Sequence, residues 1–230
     1  MGGLGCAAGL PTGARSSADA FHWLTPAAAP RLLPDEVAPA GPVLSEGSRA
    51  RAVASARRYL TPATPIASRF GTDCTSLVRA VYDDVAVNVF ADAEPSDNGV
   101  TAIYRFAQAR GRVFTGGHPL PGDLVFFRNT YDRNEDGRDN DGLTHVGLVD
   151  AVDSDETVWV IHRVQRGVVR YRMNLRHPEA RIDPRTGVPV NDYLRAAGGG
   201  RPAVLTAQLF AAYATLFVAD PLARTDPFAR

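Results

Sequence analysis

The period of hydrophobic and polar positions changes once along this chain, after Gly111. Before that point apolar residues recur at helical spacing. Ala50, Val53, Ala54 and Leu60 follow the N-cap candidate Ser48, and Leu77, Val78, Val81 and Val85 follow Cys74. A third set, Ile103, Phe106 and Ala107, opens at Asn98-Gly99 and is stopped by Gly111. Beyond the turn Leu120-Pro121-Gly122 the spacing is that of strands. The apolar run Asp123–Phe127 is followed by His145–Val152, Thr157–Val164 and Val168–Asn174, with Asp153-Ser154-Asp155-Glu156 as the turn between the second and third. The last of these alternates apolar and basic residues, as a half-exposed strand does. Residues 176–201 read as a loop, and the apolar stretch from Ala203 to Ala219 reads as a closing helix stopped by Asp220-Pro221. Helices first and an antiparallel sheet after them predict an α+β domain.

The first 44 residues, rich in Ala, Pro and Gly and without periodicity, read as a flexible leader. Within them Gly3-Leu4-Gly5-Cys6 resembles the end of a lipoprotein signal, which makes Cys6 a candidate lipid anchor. The basic and apolar regions that should precede such a site are missing. Two cysteines cannot build a disulfide scaffold, and Cys6–Cys74 is the single bridge available. Lys plus Arg number 25 and Asp plus Glu number 25, so the balance gives no electrostatic case for nucleic acid or an anionic membrane. The longest uncharged run, Pro202 to Ala219, is too short and too interrupted for a membrane span. The expected organisation is a leader (1–44), one domain (45–175), and a loop plus C-terminal helix packed on it (176–230), acting as a monomer.

Candidate chemistry enters with Cys74, placed where a helix begins, and with His145 and His162, both in strands. Taken singly, a helical Cys is usually a small core residue and a strand His a satisfied polar group. Their joint placement carries more. If the turn at 153–156 is centred, Gly147 faces His162 and His145 faces Val164, so both imidazoles lie on one face. Such diagonal neighbours sit roughly 7–8 Å apart at Cα. A slip of one residue would send them to opposite faces. On a shared face His145 can take the thiol proton while His162 orients its ring. The helix start favours thiolate, an imidazolium partner favours it further, and the Cys74 N–H is a candidate oxyanion donor.

Three segments then carry a resemblance. Asp73-Cys74-Thr75-Ser76-Leu77-Val78, Pro121-Gly122-Asp123-Leu124-Val125-Phe126-Phe127 and Thr144-His145-Val146-Gly147-Leu148-Val149 resemble the NlpC-type and CHAP-type cell-wall cysteine peptidases. His162, in Val160-Ile161-His162-Arg163, falls where NlpC-type members carry their third catalytic residue. The resemblance implies a papain-like α+β fold and hydrolysis of amide bonds in peptidoglycan stem peptides. The implied site is Cys74, His145 and His162, and the implied setting is a bacterial cell envelope, periplasmic or extracellular. Two departures stand out. The loop Pro62 to Thr72 lacks the Tyr that commonly helps bind the oxyanion, with Tyr59 preceding it, and Cys-Thr-Ser replaces Cys-Ser-Gly.

Between the Phe126-Phe127 strand and His145, the spacing of Asp132, Asn134, Asp136 and Gly137 resembles the start of an EF-hand calcium loop. The twelfth position is Leu143 rather than Glu, so Asp139 or Asp141 would supply the late oxygens. The competing reading is a solvated Asp/Asn/Gly loop. A structural Ca2+ there would brace the strand of His145, and none is required for the chemistry. Two other functions stay open. Cys74, His145 and His162 with Asp73 form a zinc-type ligand set, although without the close spacing of structural zinc sites. The chain could also be an inactive, calcium-braced envelope-binding module. His22, His118 and His177, in Pro- or Gly-rich loops, read as surface residues.

Overall fold

The computed structural model describes residues 44–198 and 201–217. Cys6, with its lipid-anchor and disulfide readings, and the leader up to residue 43 lie outside the described residues. So does His22.

Three helices form first, each started by a side chain that satisfies free backbone N–H groups. Ser45, rather than the expected Ser48, caps α1 (Glu46–Arg58), its hydroxyl accepting from the Ser48 N–H at 3.2 Å. Asp73 caps α2 (Cys74–Asp83) and Asn98 caps α3 (Gly99–Arg110), each accepting from two backbone N–H groups. Gly111 ends α3 where the backbone at Thr215 passes. A Cβ there would collide with the Thr215 carbonyl, so the glycine is demanded by close approach.

Eight short strands follow: β1 (Arg112–Phe114), β2 (Leu124–Arg128), β3 (Leu143–Val152), β4 (Val158–Val164), β5 (Gly167–Met173), β6 (Tyr193–Arg195), β7 (Val204–Leu205) and β8 (Phe210–Thr215). Six of them make one antiparallel sheet in the order β1-β8-β2-β3-β4-β5, while β6 and β7 pair separately. α1, α2 and α3 pack on one face over Leu124, Phe126, Val146, Leu148 and Ile161. The other face carries Val125, Phe127, Val149, Val160 and Tyr213. This is the expected α+β architecture, and it is compatible with a papain-like CHAP fold.

The expected helix over 203–219 is corrected. Its described part is β7, a one-turn helix α4 (Thr206–Leu209) and then β8, which fills the sheet between β1 and β2. Ala212 and Ala214 stand opposite Phe126 and Leu124 under the helices, and Tyr213 points to the other face. Alanine favours a helix in isolation. Here a segment apolar on all sides meets two open strand edges, and burial on both faces decides the outcome.

The hairpin of β3 and β4 also departs from its premise. Val152 pairs Val158, so Asp153 to Thr157 form the turn, one residue longer than expected. A bulge at Asp150 then absorbs the extra residue, and Val149 pairs Val160 and Gly147 pairs His162. His145 and His162 therefore share a face, as the sequence register requires.

A buried ion pair ties the helices to the sheet. Arg49 of α1 donates to Asp123 at 2.8 Å, to the Pro121 carbonyl at 3.0 Å and to Thr215 Oγ1 at 3.1 Å. Its guanidinium lies 4.5 Å from the centroid of the Phe217 ring. The side chains are only 10% and 3% exposed, so removing one partner strands the other charge. Arg49→Gln is expected to lower stability by about 3 kcal/mol in chemical denaturation, whereas a loss within ~0.5 kcal/mol would show that the pair contributes nothing net.

Candidate active site

Cys74, His145 and His162 come from α2, β3 and β4. Cys74 is the first residue of its helix and is half-buried, its thiol 3.9 Å from the Thr144 carbonyl. Cys74 and His145 line one cavity of about 750 Å3, with Asp73, Asn98, Thr130, Tyr131 and Arg163 among its walls. His162 is 1% exposed and sits behind His145. His145 Nε2 and His162 Nδ1 are 2.8 Å apart, with the rings at 87°. This contact occupies Nε2 and leaves Nδ1 of His145 for other chemistry. His162 Nε2 is buried without a hydrogen-bond partner, and the ring packs edge-on against Tyr171 at 4.6 Å.

Gly147 makes that stacking possible. Directly opposite His162, a Cβ at this position would lie 2.9 Å from His162 Cβ and 2.8 Å from Val160 Cγ1. Asn98 adds a second brace: while capping α3 it donates through Nδ2 to the Leu143 carbonyl at 3.2 Å, at the start of the His145 strand.

The electrostatics run against the expected thiolate. Burial, and then the Asp73 carboxylate, push the Cys74 thiol up to about 11, although N–H groups of Val146, Cys74 and Thr75 pull the other way. Burial lowers His145 to about 4, with Asp73 opposing, and lowers His162 well below its usual value. Near neutral pH the resting site is therefore a thiol beside neutral imidazoles. Asp73 is the functional neighbour that reading by motif underused. Its Oδ1 accepts from the N–H of Thr75 at 3.0 Å and of Ser76 at 3.2 Å, fixing the helix start that presents the thiol. An Asp one residue before a helical Cys was the available signal. Tyr131, Thr144 and Arg163, also in the cavity, carried no such signal.

The zinc-type set does not assemble. The two imidazoles face each other through the nitrogens that a shared ion would need. Among the described residues no group of three or more His, Cys, Asp or Glu is disposed to hold a metal ion. In the acidic loop, Asp139 is drawn away to Arg195 and Arg201. Asp132 receives the N–H groups of Asp136 at 3.2 Å and Gly137 at 2.7 Å. Asp136 accepts from Asn134 Nδ2 at 3.1 Å, and Asp141 Oδ1 accepts from the Arg133 N–H at 2.9 Å. His118 is exposed and His177 half-buried.

Residues 64–163 match the CHAP domain. The match is consistent with a CHAP/NlpC-type papain-like peptidase superfamily. It contains all three candidate residues and ends within β4. No curated protein and no solved structure matches the chain. CHAP domains are generally amidase or peptidase hydrolases, which supports a hydrolase and suggests a peptidoglycan-hydrolase type of function at the cell wall. Among the described residues no helix is long and apolar enough to cross a membrane.

Lowered imidazole affinities have a stability consequence with a definite sign. Both rings bind protons more weakly in the folded protein than in the unfolded chain, whose histidines titrate near 6.5. Stability is then full above pH ~6.5 and falls as the pH drops through about 4, because the unfolded state takes up protons first. Melting temperature measured from pH 7 to pH 4 should decline. The decline should be shallower for His145→Gln/His162→Gln, and equal slopes would refute the assignment.

Proposed function

We propose that this protein is a cell-envelope cysteine hydrolase that cuts amide bonds in peptidoglycan stem peptides. Cys74 is the nucleophile, His145 the base and His162 the group that orients it. The observation that carries the reading is the 2.8 Å contact from His145 Nε2 to His162 Nδ1, in a ring that shares a cavity with Cys74. For His145 Nδ1 to accept a proton, Nε2 must carry the hydrogen and donate it to His162 Nδ1. His162 then keeps its own hydrogen on the buried Nε2. A neutral imidazole in that role fixes tautomer and orientation without adding a negative charge, in keeping with a weakly basic His145.

The chemistry follows from these positions. The thiol proton passes to His145 Nδ1 as Sγ attacks the substrate carbonyl, and the oxyanion forms against the N–H of Cys74. Thr75 and Ser76 N–H groups are held by Asp73, so the first amide of α2 is the donor that the cap leaves available. His145 returns the proton to the departing amine, giving a thioester. Water, deprotonated by the same ring, then releases the acid and restores the thiol. Tyr131, at the cavity wall, stands in for the tyrosine that the Pro62–Thr72 loop lacks.

Purified sacculi incubated with wild type should yield new muropeptides, and Cys74→Ala should yield none. Matching profiles would leave only the inactive envelope-binding reading. Loss of ring alignment in His162→Ala should reduce kcat/KM about 10²-fold. His162→Asn, which keeps an acceptor near Nδ1, should recover most of it.

We also propose that the loop 132–141 takes up a structural Ca2+ by drawing together carboxylates that, as they stand, form no metal-holding group among the described residues. Asp141 Oδ2 is buried there without a hydrogen-bond partner, an oxygen suited to a cation. With Asp139 engaged by arginines, the oxygens would come from Asp132, Asn134, Asp136, Asp141 and backbone carbonyls. The ion would steady Thr130 and Thr144, whose hydroxyls are 2.9 Å apart at the base of the loop. Adding Ca2+ to chelator-treated protein should raise its melting temperature, and Asp132→Ala should abolish the rise. An unchanged melting temperature and unchanged activity would end the proposal.

A further inference from the structure

The cavity that bears Cys74 is adjoined by a second one, of about 690 Å3, beyond the β4–β5 turn. Val164, Gln165 and Leu194 belong to the walls of both. Arg163 stands in the first cavity, and Arg166 and Arg181 stand in the second. Most arginines of the sheet and helices pair with a carboxylate, among them Arg49, Arg57, Arg105, Arg170, Arg172 and Arg195. The three cleft arginines have no ion pair among the described residues. Arg163 donates to Ser76 Oγ at 3.0 Å, Arg166 donates to the Tyr171 hydroxyl, and Arg181 lies 5.9 Å from the Tyr193 ring centroid.

The acids in these walls are already engaged. Asp192, in the second cavity, accepts from the Arg172 backbone N–H at 2.8 Å and from its guanidinium at 3.2 Å. Asp73, in the first, caps α2. A chain of zero net charge thus places three guanidinium groups without an ion pair among the described residues along one arm of its cleft. Guanidinium presents N–H donors in a fork that fits a carboxylate. Beside them Tyr193, 49% exposed, offers a flat apolar wall to the chain of a bound peptide.

We propose that the second cavity is a substrate subsite that holds a free carboxylate of the peptide, gripped by Arg166 and Arg181, while the scissile amide lies at Cys74. The carboxylate selects acidic peptides and fixes which amide reaches the thiol. Naming the bound peptide as substrate rests on the hydrolase reading above, whereas the anion grip itself does not.

The test uses the stem tetrapeptide alanyl-γ-glutamyl-lysyl-alanine in two forms, with free carboxylates and with carboxamides. Calorimetric binding to the Cys74→Ala protein should favour the acid form by at least about tenfold. That preference should weaken with added salt. In Cys74→Ala/Arg166→Gln/Arg181→Gln the ratio should approach one, with the carboxamide affinity unchanged. Both arginines are exposed, so an unchanged melting temperature checks that the fold persists. Equal binding of the two forms, no binding of either, or a preference that survives in the arginine variant would overturn the subsite. Hydrolysis by the Cys74-containing protein reports separately: cleavage without carboxylate preference removes the subsite alone, and preference without cleavage of either form removes the hydrolase reading alone.

Discussion

One extra residue in β3 decides which face of the sheet receives His162. On the turn side of Asp150 the register pairs Val152 with Val158. Continued unbroken, it would set Leu148 opposite His162 and turn that ring toward the helices, away from His145. The bulge shifts the pairing by one, and the two imidazoles meet at 2.8 Å. Asp150 also holds the bulge where it is. Its side chain is 4% exposed and binds Arg57 of α1 at 2.5 Å and Arg170 of β5 at 2.6 Å. A bulge at a neighbouring position would leave this carboxylate buried without its cations, a far larger cost than the change of one ladder bond. Helix layer, sheet edge and imidazole placement are thus linked through a single residue far from the thiol in sequence.

Burial is the stronger of two opposing influences on Cys74. A helix N-terminus favours an anion by about 0.3–1 kcal/mol where solvent reaches it. Removal from water acts the other way, and Asp73 adds like-charge repulsion against thiolate. The same Asp73 favours imidazolium at His145, so it assists one half of the proton transfer and resists the other. The cap is nonetheless required, because Asp73 is what satisfies the N–H groups of Thr75 and Ser76. The helix that presents the Cys74 thiol is begun by a residue that favours its protonated form.

The local chemistry of this fold could be read from the chain, and its tertiary substitutions could not. Asn98 and Gly111 marked α3 because caps and terminators act within a turn of themselves. The strands from Leu124 to Met173 followed from period alone. β8 was hidden because its alanines favour a helix until two strand edges compete for them. The histidine register came out correctly through two departures that cancel: the turn is one residue longer than assumed, and the bulge removes one. Asp150 reads in sequence as an ordinary polar position, and only the arginines brought to it by α1 and β5 give it a place in the core. Protonation at the candidate site was illegible for the same reason, since desolvation belongs to the packed molecule.

A neutral resting pair is compatible with nucleophilic chemistry when charge is created only where it can be received. Transfer of the thiol proton to His145 makes a thiolate and an imidazolium together, with no change in net charge. N–H groups of Val146, Cys74 and Thr75 already favour the thiolate, and Asp73 favours the imidazolium. In the proposed reaction a bound amide carbonyl carries the negative charge onward to the Cys74 N–H. Until then the thiol stays in its less reactive form, since thiolate is the species that oxidants attack. Under the proposed hydrolase reading, a thiol that ionises only under its substrate keeps its sulfur reduced between turnovers. The burial that weakens His145 as a base is then the same property that preserves Cys74 for use.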